Sequence, residues 1–134
     1  MRTKISIDTV RGEFVQQVET ISGETLLACN QCGKCSAGCP VAFSMDLLPN
    51  QVIRMAQLGI QDVLECQTIW TCAACLTCVS RCPKGIDLPR VMEAMRVISM
   101  ERGGSHIQAD NFSAEMVSEL PQLALIGGFR KYST

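Results

Sequence analysis

The chain has 134 residues, a formal net charge of −1 and no basic run, so the electrostatic footprint of a nucleic-acid binder is missing. Four Phe, one Trp and one Tyr are too few for a base-stacking platform. No apolar stretch approaches the length of a membrane span or of a signal peptide, so a soluble, cytoplasmic chain is expected.

In chain order, residues 8–22 read as a helix. Asp8 or Thr9 can cap its start, Phe14, Val15, Val18 and Ile21 supply an apolar face, and Gly23 suits a left-handed stop. A short apolar step, Leu26 to Ala28, leads into a dense run of cysteines: Cys29, Cys32, Cys35 and Cys39, then Pro40. Small residues fill it (Gly33, Ser36, Ala37, Gly38), as a chain wrapping closely round a ligand requires.

The stretch that follows reads as helical rather than as alternating strand. Asp46 can cap, Pro49 fits a first turn, Val52, Ile53, Met55, Ala56 and Leu58 give apolar faces, and Gly59 closes the helix. A second helix is expected from Asp62 to about Gln67. A second cysteine run then repeats the first: Cys72, Cys75, Cys78 and Cys82, then Pro83. A third helix starts near Asp87, with Leu88, Val91, Met92, Met95 and Ile98 in one stripe and Gly103-Gly104 at its end. A last helix is expected from Ser113 to Leu120, with Phe112 and Met116 in line and Pro121 stopping it. The tail beyond it is apolar, then glycine, then basic and aromatic.

Both runs read C-x2-C-x2-C-x3-C-P, the spacing that holds cubane [4Fe–4S] clusters in two-cluster ferredoxins. Eight of the nine cysteines lie in them. Thiolates are soft donors that match iron in a sulfide cube. In such proteins the fourth cysteine of each run ligates the other cluster. The expected sets are therefore crossed: Cys29, Cys32, Cys35 and Cys82 for the first cluster, and Cys72, Cys75, Cys78 and Cys39 for the second. Zinc fits poorly, because it needs four ligands, usually as two separated pairs.

Other residues carry weaker signals. Cys66 belongs to neither run and reads as a small buried hydrophobe. Trp70 reads as packing near the second run. Lys34, Arg81 and Lys84 read as solvated charges beside the runs, and His106 as a loop residue. No G-x-G-x-x-G follows a strand, and no base–nucleophile constellation is evident, so no catalytic residue is assigned. The chain is read as one that moves electrons and leaves bond-making to a partner.

The segment from Gly23 to Pro40 resembles the first cluster run of the heterodisulfide reductase C-subunit family, and Ile69 to Ile86 resembles its second. Pro49 and the stretch Arg54 to Gly59 fit that family's connecting helix. The likeness covers residues 10–102. Cysteine spacing alone also suits the iron–sulfur subunits of succinate dehydrogenase and of glycerol-3-phosphate dehydrogenase, but the flanking residues favour the heterodisulfide reductase type.

The resemblance implies a mainly α protein: an α-helical ferredoxin fold with two cross-ligated [4Fe–4S] clusters and helical extensions at both ends. The chain itself is read as a single domain over 1–134, with an α-helical ferredoxin core at 24–102 and, outside the matched part, a C-terminal extension at 105–134 that is expected to be a partner-docking arm. The resemblance further implies an electron relay between two partners of a heterodisulfide-reductase-like complex. One is its A-type component, which bears flavin and clusters; the other is its B-type component, which is cysteine-rich and disulfide-active. A free two-cluster ferredoxin, or the iron–sulfur subunit of a quinone-linked or sulfur-oxidising complex, are the alternative readings.

Overall fold

The computed structural model describes residues 5–102 and 108–132, and every described regular element is helical. The chain divides into two compact units, Met1–Arg96 and Val97–Thr134.

The first unit opens with helix α1, Ile7–Val10, and helix α2, Glu13–Ser22. The single helix expected over 8–22 is thus two. Ser6, rather than Asp8 or Thr9, caps the start: its Oγ accepts from the Thr9 amide at 3.2 Å. The break falls at Gly12, which packs so closely on the preceding turn that a Cβ there would lie 2.8 Å from the Asp8 carbonyl oxygen. Phe14, Val15 and Val18 are buried along α2, whereas Ile21 is turned outward and exposed. Gly23 ends the helix in the left-handed region, φ 70°, as the sequence suggests.

A 3-10 turn over Leu26–Ala28 leads to the first run, which holds helix α3, Lys34–Ala37. After a 3-10 turn at Ala42–Ser44 comes helix α4, Pro49–Gln57, with Pro49 in its first turn as expected. Asp46 does not cap α4. That start is closed by Gln51, whose Oε1 accepts from the Leu48 amide at 2.8 Å. Asp46 instead reaches forward, accepting from the amides of Gln67 and Thr68 at 2.9 Å each. Those amides open helix α5, Thr68–Thr71. The helix expected from Asp62 to about Gln67 is a 3-10 stretch, Gln61–Glu65, because Asp46 starts the α-helical turn only after it.

Gly59 lies where the loop after α4 meets α1. Its φ is +70°, and any Cβ would collide with the Thr9 carbonyl. Glycine is required there twice over, by dihedral and by space.

The second run holds helix α6, Thr77–Arg81, which packs against α3; α3 also packs against α4. Helix α7, Leu88–Glu101, begins where expected, with the Asp87 carboxylate accepting from the Arg90 amide at 3.2 Å. Its whole stripe (Leu88, Val91, Met92, Met95, Ile98) is buried. Burying one such side chain stabilises a fold by about 1.5–3 kcal/mol, so α7 is held by its face rather than by propensity. The expected Gly103-Gly104 stop and His106 lie outside the described residues.

The second unit carries helix α8, Ala114–Glu119, capped by Ser113 through the Met116 amide at 3.2 Å, and helix α9, Gln122–Tyr132. Pro121 does end α8, but it also opens α9, its carbonyl accepting from Ala124 and Leu125 at 2.9 and 3.2 Å. The helix runs straight through Gly127 and Gly128, although the sequence pattern places both outside any helix. The rings of Phe112 and Phe129 meet at a tilt of 57° with centroids 5.5 Å apart, closing a small apolar groove with Leu120 and Leu125.

Candidate metal centre

The two runs take up matching backbone conformations. Residues Gln31 and Gly33 of the first have φ of 58° and 76°; Ala74 and Leu76, at the same positions of the second, have 50° and 62°. Three of these four are not glycine, and a left-handed residue with a side chain costs on the order of 1 kcal/mol. The strain recurs at equivalent positions in both runs, between the first and third cysteines. There it bends the chain so that short helices α3 and α6 carry Cys35 and Cys78 on their inner sides.

Two recesses result. One is lined by Cys39, Cys72, Cys75 and Cys78, with Met45 and Met92 among its apolar walls. The other is lined by Cys29, Cys35, Cys78 and Cys82, with Ile53, Ile86 and Leu88. The fourth cysteine of each run thus faces a recess bordered by the opposite run. Cys78 borders both. Cys32 is exposed and borders neither.

Among the described residues no three of His, Cys, Asp or Glu converge tightly enough for a single ion. The thiolates of a cube bond to separate irons, whereas the donors of zinc crowd one centre at about 2.3 Å. The donor set fits the group: eight run cysteines, seven of them lining two recesses walled by aliphatic and thioether side chains and Cys32 exposed beside them, suit two [4Fe–4S] clusters.

Hydrogen bonds already point at several sulfurs. Cys29 Sγ accepts from the Gln31 amide at 3.4 Å, and Cys82 Sγ from the Ile86 amide at 3.4 Å. Thr77 Oγ1 lies 3.4 Å from Cys75 Sγ, and this hydroxyl holds the Cys75 thiol below its ordinary value. Burial, then the neighbouring Cys72 and Cys35, push the Cys78 thiol up to about 11. Burial also raises Cys35, against the bonds from Ser36. These two thiols are therefore protonated at neutral pH without metal, and ligation must release their protons.

Two buried polar side chains support the runs from behind, and sequence reasoning missed both. Gln57 on α4 donates through Nε2 to the carbonyls of Leu26, at 2.8 Å, and Cys29, at 3.0 Å. Arg96 on α7 donates through Nε to the Ile69 carbonyl at 2.6 Å, and its Nη2 stands 3.5 Å from the Cys72 carbonyl. The only available signal was a polar residue inside an apolar helical stripe. Lys34, Arg81 and Lys84 are exposed, in keeping with solvated charge. Arg81 nonetheless covers Gly38, where a Cβ would meet its side chain. Cys66 is buried, which raises its thiol.

A family model described as a 4Fe-4S dicluster domain matches residues 25–86. The chain is 33% identical over 107 residues to the "C 2" iron-sulfur subunit of the CoB–CoM heterodisulfide reductase of Methanocaldococcus jannaschii, covering 74% of this chain and 58% of that one. It is 33% identical over 95 residues to the C2 subunit of the H2/formate:CoB-CoM heterodisulfide,ferredoxin reductase of Methanococcus maripaludis, covering 68% and 52%. It is 34% identical over 96 residues to the C-type iron-sulfur subunit of the CoB–CoM heterodisulfide reductase of Methanopyrus kandleri, covering 68% and 50%. The chain spans about half the length of these curated relatives. The doubled cysteine run and this set of relatives lead to one assignment: the chain belongs to the heterodisulfide reductase C-subunit family of two-cluster iron–sulfur proteins.

Proposed function

We propose that the chain is the electron-relay subunit of a heterodisulfide-reductase-like complex. It connects an A-type component, bearing flavin and clusters, to a cysteine-rich, disulfide-active B-type component in the reducing cytoplasm. Among the described residues no helix is long and apolar enough to cross a membrane. The observation that carries the reading is the pairing of Cys39 with the second run and of Cys82 with the first around separate recesses.

On this reading Cys29, Cys32, Cys35 and Cys82 hold the first cluster. Cys72, Cys75, Cys78 and Cys39 hold the second. Each cluster, when bound, takes up and gives back one electron. The chain's own residues do the rest. Ile53, Leu88 and Met92 keep water from the inner faces of the recesses. The Gln31 and Ile86 amides favour the more negative, reduced form through their sulfur partners. Cys78, shared by both recesses, supports a short path between the two centres. The core at 24–102 carries this work, and the arm at 105–134 binds the partner.

Two sets of experiments test the proposal. Anaerobically prepared protein is expected to hold about eight irons per chain, a number that follows from two cubes. Cys82→Ser is expected to perturb the EPR signal of the cluster on Cys29 while leaving the other. Loss at the second run instead would overturn the crossed assignment. Deleting the segment Phe112 to Tyr132 should leave both clusters in place and abolish co-purification with the catalytic components; full recovery of the complex would refute the docking role.

A further inference from the structure

Cys29 and Cys72 open the two runs, and the same clamp stands behind each. Gln57 holds the carbonyl of Cys29 and that of Leu26, three residues earlier. Arg96 holds the carbonyl of Ile69, three residues before Cys72, and faces that of Cys72. Both side chains come from a helix that follows their run, and both are buried, at 4% and 2% exposure. The geometry is repeated, but the charge is not. Gln57 carries a neutral amide, whereas arginine carries a guanidinium cation.

A buried positive charge has to be accounted for. Arg96 Nη1 meets the Glu93 carboxylate at 2.7 Å, so the charge is paired. The pair is lopsided, however. The Arg96 side chain is 3% exposed and that of Glu93 is 48% exposed. Water screens the carboxylate more strongly than the guanidinium. The cation also lies on the inner side of the pair, with Nη1 on Glu93 and Nη2 towards Cys72. The contribution of this pair to the field at the second run is therefore net positive. If only carbonyl capping were needed, an amide such as Gln57 would do it.

We propose that Arg96 is a positioning residue with an electrostatic role. It fixes the backbone at Cys72 and raises the reduction potential of the cluster that Cys72 holds. The assignment rests on the ligand sets of the proposed function. Reduction adds one electron and no proton, so the bound cluster becomes one charge more negative, and a nearby cation favours that form. The electron comes from an external low-potential reductant of the dithionite class. The amides on Cys29 and Cys82 act in the same direction on the first cluster, so each cluster is compared with itself across variants.

The test is an anaerobic redox titration of the cluster-loaded chain, followed by EPR, with iron content checked first. Arg96→Gln keeps a carbonyl-binding amide and removes the charge. The potential of the second cluster should fall, so that at fixed potential the reduced-to-oxidised ratio drops about tenfold, or ~59 mV for one electron. The first cluster should shift much less. Glu93→Gln leaves Arg96 and its carbonyl bonds in place and removes only the negative partner, so the same potential should rise. Opposite shifts from two neighbouring residues are not what a purely structural role gives. If Arg96→Gln loses iron or fails to fold, the Glu93→Gln shift decides alone: a rise supports the proposal, and no change or a fall overturns it. Full iron with both potentials unmoved in both variants overturns it as well. Should Arg96→Gln shift the signal that Cys82→Ser perturbs, the ligand reading has failed, not the electrostatic effect.

Discussion

Asp46 accepts two hydrogen bonds from Thr68: one from its amide at 2.9 Å and one from its hydroxyl at 2.7 Å. Thr68 is fully buried, and its Oγ1 also lies 2.6 Å from the Leu47 carbonyl oxygen. The loop after the first cysteine run is thereby fastened to the helical turn that delivers Cys72.

Burial acts to raise the Asp46 carboxyl, but the Thr68 hydroxyl and the amides of Gln67, Thr68 and Leu47 together outweigh it, so the carboxyl sits below its ordinary 3.8. A depressed carboxyl stabilises the fold above the unfolded value and loses that stabilisation as pH falls through the folded value. Asp46→Asn removes a charged acceptor from a helix start. It should cost about 1 kcal/mol, the typical value for such a cap and a modest one because the group is solvent-facing. The gap in unfolding midpoint between the two proteins should be full from neutral pH down to about 4 and close below that. An undiminished gap in acid would show that lost packing, rather than lost charge, is responsible.

Gln57 carries a second prediction. Its Nε2 satisfies two carbonyls at once, and its Oε1 accepts from Gln31 Nε2 at 3.3 Å, which in turn faces Cys29 Sγ at 3.6 Å. Gln57→Leu keeps volume but leaves the Leu26 and Cys29 carbonyls without this donor. An unsatisfied buried group costs about 1–3 kcal/mol. Iron should leave the first cluster faster under a chelator, with the second little changed. Equal rates at both clusters would mean that the clamp does not act locally.

Gly59→Ala is expected to be the most damaging of the small-residue changes. The new methyl group would strike the Thr9 carbonyl, and the backbone would be held at φ +70°. Such strain costs on the order of 1–3 kcal/mol. The first turn of the chain should detach, seen as raised hydrogen exchange over residues 7–12 while α4 keeps its protection. Protection that stays native over 7–12 would place the cost elsewhere.

How much of the fold is legible in the sequence depends on range. The cysteine runs, the stripe of α7, the Pro49 start and the Gly23 stop are local patterns with one strong physical cause each, and they stand where expected. The misreadings are of contacts, most of them long-range. Asp46 reads as a local cap beside Pro49, but its donors lie 21 and 22 residues away at Gln67 and Thr68. Gly12 reads as an ordinary helix residue, yet the turn before it closes on its Cα. Arg96 reads as one more polar helix position, because nothing in the spacing says that Ile69 and Cys72 present carbonyls to it. No element is read over the tail that forms α9, whose glycines each lower helix propensity by about 1 kcal/mol. The Phe112–Phe129 contact links the two ends of that unit from outside any local window.

Metal removal should act unevenly. Helices α3 and α6 are four and five residues long and bury no side chain completely. Helices this short are not stable through their own hydrogen bonds, so ligation and their mutual packing have to hold them. The strained residues Gln31, Ala74 and Leu76 add a cost that ligation must offset. By contrast, Phe14, Val18, Val52, Val63 and Ile69 are buried side chains that line neither recess. Chelation under anaerobic conditions should therefore abolish amide protection over 29–39 and 72–82 first, while α2 and α4 retain part of theirs. The thiols freed in this way take up protons. Re-loading with iron and sulfide should accordingly be faster as pH rises from about 7 towards 9, in parallel with the thiolate fraction. Loading that is independent of pH would mean that a step other than thiol deprotonation limits assembly.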